Sequence, residues 1–331
     1  MSYSHLATST NILWKLLEAN GHDPDPLYRD AGIDPGLLKK YGARIRFSSL
    51  KKIWKKATEI IDDPCFGLQA DKYWHPSYGY ALGYAWLTSH TLREALNRFA
   101  RYIRMLSEAG RIILEDDSKS LTLILDLKSA GMLLPAMVDA LLASLIHICR
   151  INYGENLKPL AVNFVHPEPP CAEKYFDLFR SPVYFSAPRD SISFSSTDVD
   201  KHLSGGNLHL ARINDKIVIN YLANLEKGDI IHRVKACIID LFQSGEVAFE
   251  KVAKTIGMSE RSLQRKLSEK GTTFRTILNE IRKELALSYV RDLDITLSEI
   301  AFLLGFSEQS AFSRAFKRLT GMSPSEARSA Y

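Results

Sequence analysis

Arg261, Gln264 and Arg265 lie in one short polar stretch near the C-terminus, and Gln309, Ser310 and Arg314 lie in another. Arginine can donate two hydrogen bonds to the O6/N7 edge of guanine, and glutamine can pair with the N6/N7 edge of adenine. Both sets fall at matching places in an internal repeat. One copy, VAKTIGMSERSLQRKL, runs from Val252 to Leu267; the other, IAFLLGFSEQSAFSRAF, runs from Ile300 to Phe316. Val252, Ala253, Ile256 and Gly257 align with Ile300, Ala301, Leu304 and Gly305 at a spacing of 48 residues. Leu263, Arg265 and Leu267 align with Phe312, Arg314 and Phe316 at a spacing of 49, so the second copy has one extra residue in its turn.

The elements needed to position these side chains are legible in each copy. Ala253 and Ala301 are small enough to let two helices approach. Gly257 and Gly305 can take positive φ and end the first helix. Met258 and Phe306 can plug the corner. Ser259 and Ser307, or Glu260 and Glu308, can cap the second helix. That helix alternates apolar anchors (Leu263 and Leu267, then Phe312 and Phe316) with the outward polar set, to which Ser313 also belongs. Each copy is therefore expected to be a helix-turn-helix. Between them the periodicity predicts a helix from about Thr273 to Val290, some 18 residues, or ~27 Å at 1.5 Å per residue. Recognition helices on such a spacer suit neighbouring major-groove turns, ~34 Å apart. Arg261–Arg291 holds 8 Lys/Arg against 3 Asp/Glu, a basic footprint suited to phosphate.

The run LSEIAFLLGFSEQSAFSRAFKRLTGMSPSEAR, Leu297 to Arg328, together with Arg282-Lys283-Glu284-Leu285-Ala286, resembles the DNA-binding domain of AraC/XylS-type transcription regulators. The resemblance covers residues 229–331. It implies that Arg261, Gln264 and Arg265, and likewise Gln309, Ser310 and Arg314, meet bases. One departure is Ala327, which stands where many members have an aromatic residue and is expected to loosen the last helix. FGLQADKY, GYALGYAWLTSHTLREALNRFARYIRML and VNFVHPEP with YFDLFRSPVYFSAPRDSISF resemble the effector-binding domain of the AraC subgroup that includes ornithine-responsive regulators. The resemblance implies an activator acting on double-stranded DNA, with RNA polymerase as a further partner. It also implies a small-molecule effector of amino acid or fatty acid class, and a homodimer.

The 331 residues, 46% apolar and 24% charged with net charge +5, suit two soluble domains. The expected fold is an α+β N-terminal domain, residues 1–228, with a mostly antiparallel sheet and a connecting helix at about 208–226. An all-α domain, 229–331, follows, with two helix-turn-helix motifs at about 249–270 and 296–319 joined by the linker helix. In the N-terminal part, Thr91 and Glu94 open a helix over 91–108 in a capping-box pattern. Strands are expected at Arg111–Glu115, Leu121–Leu127, Leu160–His166, Val183–Ser186 and Ser191–Phe194. Helices are expected at Ala136–Ile151 and near Ala172–Phe179.

Tyr73–Trp86 is rich in aromatic residues. Tyr78, Tyr80, Tyr84 and Trp86 are candidates for an apolar effector pocket, with core packing around Gly79 and Gly83 as the alternative. Arg98, Arg101 and Arg104 could hold a carboxylate effector; lying opposite the apolar face of their helix, they are expected to be a solvated surface. Lys51, Lys52, Lys55 and Lys56 could touch DNA or an acidic partner, and are likewise expected to be a solvated helix face.

No H-E-x-x-H, G-x-S-x-G, P-loop or G-x-G-x-x-G pattern is present, so neither catalysis, a cofactor nor a metal is expected. An enzyme fused to a DNA-binding domain and a regulator controlled by a protein partner or by abundance remain the alternatives. Cys65, Cys149, Cys171 and Cys237 contain no C-x-x-C, and free buried thiols in a reducing cytoplasm are the expected state. The first residues lack a basic and then apolar leader pattern. The longest apolar run, Ala130 to Cys149, is broken by Pro135, Asp139 and His147, so neither export nor a membrane span is expected.

Overall fold

The computed structural model describes residues 3–126, 131, 133–225, 230–242, 247–290 and 295–329. They fall into two compact units, Met1–Val218 and Ile219–Tyr331. The division lies within the connecting helix, Leu208–Leu225; the boundary expected near Gly228 lies outside the described residues.

The first unit mixes helices with two small sheets. Strands β1 (Ser4–Leu6) and β2 (Arg44–Arg46) pair antiparallel. The larger sheet contains β3 (Arg111–Asp116), β4 (Ser120–Asp126), β5 (Ala161–Asn163), β6 (Val183–Tyr184) and β7 (Ser191–Ser195), in the spatial order β3-β4-β7-β5-β6. Its neighbours pair antiparallel except β5 and β6, which are parallel. Register follows the period-two pattern of apolar residues: buried Leu121 lies opposite Phe194, and buried Leu123 opposite Ile192. β5 and β6 are shorter than their expected runs, though backbone bonds continue past them from Phe164 N–H to the Tyr184 carbonyl and from Ser186 N–H to the His166 carbonyl.

The helix Pro135–Tyr153 runs through this unit and is buried on most of its surface. It is long and apolar enough to cross a membrane, yet 72% of its most apolar window is covered by the protein, as expected of a core helix. Pro135 stands at its start, where no N–H is needed.

The helix Leu92–Leu106 is capped by Thr91, which accepts from the Glu94 N–H at 3.1 Å. Its polar face departs from the solvated stripe expected of it. Arg98 is buried at 8% exposure. Its Nε donates to Asp215 of the connecting helix at 3.1 Å, and its Nη1 donates to Glu94 at 3.1 Å and to Ser89 at 2.9 Å. Burial alone would lower the Arg98 pKa, but the Asp215 and Glu94 carboxylates outweigh it and hold the guanidinium charged. Burial pushes the Asp215 carboxyl up, against the pull of Arg98. The face is thus the seat of the connecting helix. Arg93 bridges Asp116 and Asp200, while Arg101 and Arg104 are exposed.

The cysteine reading also needs correction. Cys65 and Cys171 form a disulfide across 106 residues, because the short 3₁₀ helix Phe66–Lys72 packs beside the helix Glu173–Phe179. Cys149 and Cys237 are buried and take part in no disulfide among the described residues.

The second unit is helical throughout its described residues. The linker helix, Phe274–Val290, belongs to two hydrophobic cores. Ile277 and Ile281 join the core of the first repeat copy; Ala286 and Val290 join that of the second. Arg282 of this helix reaches across to the second copy. It donates to the carbonyls of Leu304 at 3.2 Å and Gly305 at 3.3 Å, and its guanidinium lies 4.3 Å from the Phe306 ring centre. Burial lowers its pKa. Ala327 is buried in the second core, and Arg328 ties the last helix, Pro324–Ser329, to the carbonyls of Val290 and Ile295. Those bonds supply an anchor where the sequence lacks the aromatic side chain.

Arg98 and Arg282 each carry a stability prediction. Asp215→Ala leaves the buried Arg98 with Glu94 as its remaining carboxylate partner and is expected to cost up to about 3–5 kcal/mol, whereas the paired change Arg98→Met with Asp215→Leu costs less. Trp14, Trp54, Trp74 and Trp86 all lie in the first unit, so tryptophan fluorescence in urea reports this unit alone. Equal losses for both variants would remove the charge pair as the cause. Arg282→Met is expected to destabilise the second copy by about 1.5–3 kcal/mol. Amide exchange should then quicken at Gly305 and Phe306 but not in Glu260–Glu269; equal quickening in both copies would contradict a local anchor.

Candidate functional site

Each repeat copy folds as two helices around a tight corner: Phe249–Thr255 with Glu260–Glu269, and Leu297–Leu303 with Gln309–Thr320. Gly257 at φ +72° and Gly305 at φ +68° take the left-handed conformation that the corner requires. The same two bonds close both corners. Met258 N–H reaches the Ala253 carbonyl and Gly257 N–H that of Lys254; Phe306 N–H reaches Ala301 and Gly305 N–H reaches Phe302. This is the Schellman pattern, built twice. Ala253 and Ala301 are buried where the helices approach.

The starts of the second helices differ. Ser259 caps the first by accepting from the Ser262 N–H at 3.3 Å. In the second copy the capping position falls to Glu308, with no side-chain cap, and Ser307 does not serve. Ser310 instead donates to the Glu308 carboxylate. The extra residue of this turn shifts the helix start by one position.

Leu263, Leu267, Phe312 and Phe316 are all buried. Anchoring these faces turns Arg261, Gln264 and Arg265 outward on one helix, and Gln309, Ser310 and Arg314 outward on the other; all six are exposed. Ser313 is half-buried. Arg265 lies 3.6 Å from Glu269, and Arg314 lies 3.6 Å from Glu308. Exposed ion pairs of this kind are worth little, ~0–1 kcal/mol, so either guanidinium can exchange its partner for a base or a phosphate. Gln309 accepts from Ser298 Oγ at 2.7 Å through its amide oxygen, a contact that positions the side chain.

The first unit encloses an apolar cavity of about 210 Å³. Trp54, Trp74, Tyr78 and Phe99 contribute rings to its lining. Of the four aromatic candidates, Tyr78 alone is in that lining. Trp86 is buried in the core, with its indole N–H 3.3 Å from the Ile148 carbonyl. Tyr84 is exposed, and Tyr80, at φ +55°, packs edge-on against Tyr41. The lining residues missed by the sequence reading come from many elements, β1, the helix Leu92–Leu106 and the helix Pro135–Tyr153 among them. His5, Phe99, Ile103 and Ser144 are among them. Phe99 and Ile103 lie on the apolar face of their helix, and no local pattern separates a cavity wall from a filled core.

Comparison with known proteins covers both units. A model of the arabinose-binding domain of AraC transcription regulators matches residues 21–203, and a helix-turn-helix domain model matches residues 252–330. The chain is 29% identical to the Ornithine utilization regulator of Pseudomonas aeruginosa over 321 residues, covering 96% of this chain and 94% of that one. It is 24% identical to the HTH-type transcriptional regulator VirS of Mycobacterium tuberculosis, over 99% of this chain and 98% of that one. Among solved structures, the transcriptional regulator CdpR from Pseudomonas aeruginosa aligns over 96% of this chain and 98% of its own, with a TM-score of 0.48 and 20% identity. With its N-terminal unit matched over more than half the chain and its duplicated helical corner in the C-terminal unit, this chain belongs to the AraC family of transcription regulators.

Proposed function

We propose that this DNA-binding transcription regulator reads two half-sites with one polypeptide and is switched by a small molecule held in its N-terminal unit. The observation that carries the first part is the duplicated exposed polar face. Both copies bury two apolar anchors of the second helix, and both cores share one linker helix. In this reading Arg261, Gln264 and Arg265 meet one major-groove segment, and Gln309, Ser310 and Arg314 meet the next. Arg265 and Arg314 carry most of the base discrimination.

The second part rests on the helix Leu92–Leu106. One face, with Phe99 and Ile103, lines the cavity. Another, with Arg98, holds Asp215 at the start of the connecting helix. A ligand that favours one position of this helix bears directly on that buried pair. Such a ligand must bind the two arrangements with different affinity to shift the equilibrium. The protein acts as a homodimer in the cytoplasm, and as an activator it meets RNA polymerase at the promoter. It turns over no substrate.

Selection of genomic fragments on the full-length protein at two salt concentrations tests the DNA reading. A few enriched sites with two half-sites about one turn apart are expected; uniform retention that vanishes with salt would reduce the interaction to phosphate attraction. On an enriched site, Arg265→Ala and Arg314→Ala are each expected to cost ~1–3 kcal/mol and to relax the sequence preference in a different half-site. An unchanged preference for either variant would remove that arginine from the base-reading set.

A further inference from the structure

The cavity of the first unit carries a statement about the class of effector, which rests on the effector-binding reading above. Its lining is mainly apolar, and three of its hydroxyl groups already have partners. Ser9 Oγ donates to the Leu6 carbonyl at 2.8 Å, Thr10 Oγ1 donates to that of Ala7 at 2.7 Å, and Ser107 Oγ accepts from the Ala109 N–H at 3.3 Å. His5 Nδ1 and Ser144 Oγ are buried and have no hydrogen-bond partner among the described residues.

The proton on His5 depends on its neighbour. His5 Nε2 lies 2.7 Å from Ser9 Oγ. With the single Ser9 hydroxyl proton donated to the Leu6 carbonyl at 2.8 Å, Nε2 carries a proton and donates to Ser9. Burial, with the nearby Arg44 charge, pushes the His5 pKa down to about 3, so the ring is neutral at physiological pH. A neutral imidazole protonated at Nε2 offers Nδ1 as an acceptor only. What is missing at His5 is a donor.

The charge of the lining narrows the choice further. No Asp or Glu is among the described lining residues, and Arg111 is the one cationic residue there. Arg111 is exposed, so the buried part of the cavity offers no counter-charge. An ammonium group would enter it unpaired, and burying an unpaired charge is costly. As to size, an engineered cavity of about 150 Å³ accepts benzene, so 210 Å³ suits one substituted ring or a medium-length chain.

We propose that the effector is a neutral, largely apolar molecule whose buried end carries a hydroxyl or N–H group that donates to His5 Nδ1, with Ser144 Oγ as a second polar contact. Free cationic amino acids and sugars do not fit this lining. A fatty-acid anion would have to leave its head at Arg111 and the His5 acceptor empty.

Calorimetric titration of the full-length protein tests this with four probes: 4-propylphenol, its methyl ether, decanoate and ornithine. The phenol is expected to bind saturably, and the ether, which has lost the donor, at least about tenfold more weakly. Decanoate and ornithine should give no saturable heat. In His5→Leu the phenol should fall to the level of the ether while the ether is unchanged. The phenol–ether contrast in the unaltered protein decides the matter even if that variant does not fold. Equal binding of phenol and ether, or tighter binding of decanoate, overturns the donor assignment but leaves an effector site in the cavity. Binding of ornithine alone overturns the ligand class and leaves the effector reading intact. Binding of none overturns the cavity as a ligand site and with it the support for effector control, returning the protein to regulation by a partner or by abundance.

Discussion

The C-terminal unit depends on one helix being built into two hydrophobic cores. Ile277 and Ile281, four residues apart, place one stripe of the linker helix in the first core; Ala286 and Val290, again four apart, place its other end in the second. Leu285 packs against both. At 1.5 Å per residue the helix spans about 25 Å. Because each end is held by packing, neither repeat copy can turn about the linker without opening a core. Interiors packed at crystal-like density resist such motion. The exposed faces of the two second helices thereby become a single reading head instead of two tethered ones. Arg282 adds a polar tie from the same helix to the second corner.

The N-terminal unit uses a helix in a comparable way, but with a charge as the fastening. On Leu92–Leu106 the cavity wall and the seat of the connecting helix lie on different faces of one rigid element. A buried ion pair gives little net stability, since desolvation offsets most of the attraction. It does penalise every arrangement in which one partner is buried alone. Arg98 and Asp215 therefore tie the start of the connecting helix to Leu92–Leu106 through a directional contact. A ligand beside Phe99 and Ile103 thus has a short path to that fastening.

The duplicated corner was legible in the sequence because all its determinants are local. Gly257 and Gly305 mark the turns, small alanines mark the helix approach, and the spacing of Leu263 with Leu267 and of Phe312 with Phe316 sets the buried side. What escaped was long-range. Asp215 meets Arg98 across 117 residues, and the Cys65–Cys171 bond spans 106; helical periodicity placed Arg98 on a polar face but could not say that another helix would cover it. His5 lies in a three-residue strand whose place is set by β2. The cavity lining is drawn from segments as distant as His5 and Ser144, and no window of sequence contains it. The choice of Glu308 over Ser307 at the second helix start, left open by the sequence, is a smaller case. The repeat showed the extra residue, but the competing hydrogen bond of Ser310 to Glu308 is visible only in three dimensions.

The rigid reading head is tested most directly by changing the distance between half-sites. On a site selected from genomic DNA, insertion of about five base pairs between the half-sites rotates one of them by half a turn relative to the other. With both copies fixed to one linker helix, affinity of the purified protein should fall to that of a site with a single intact half. Insertion tolerated without loss of affinity would mean that the two faces move independently, and would contradict the account.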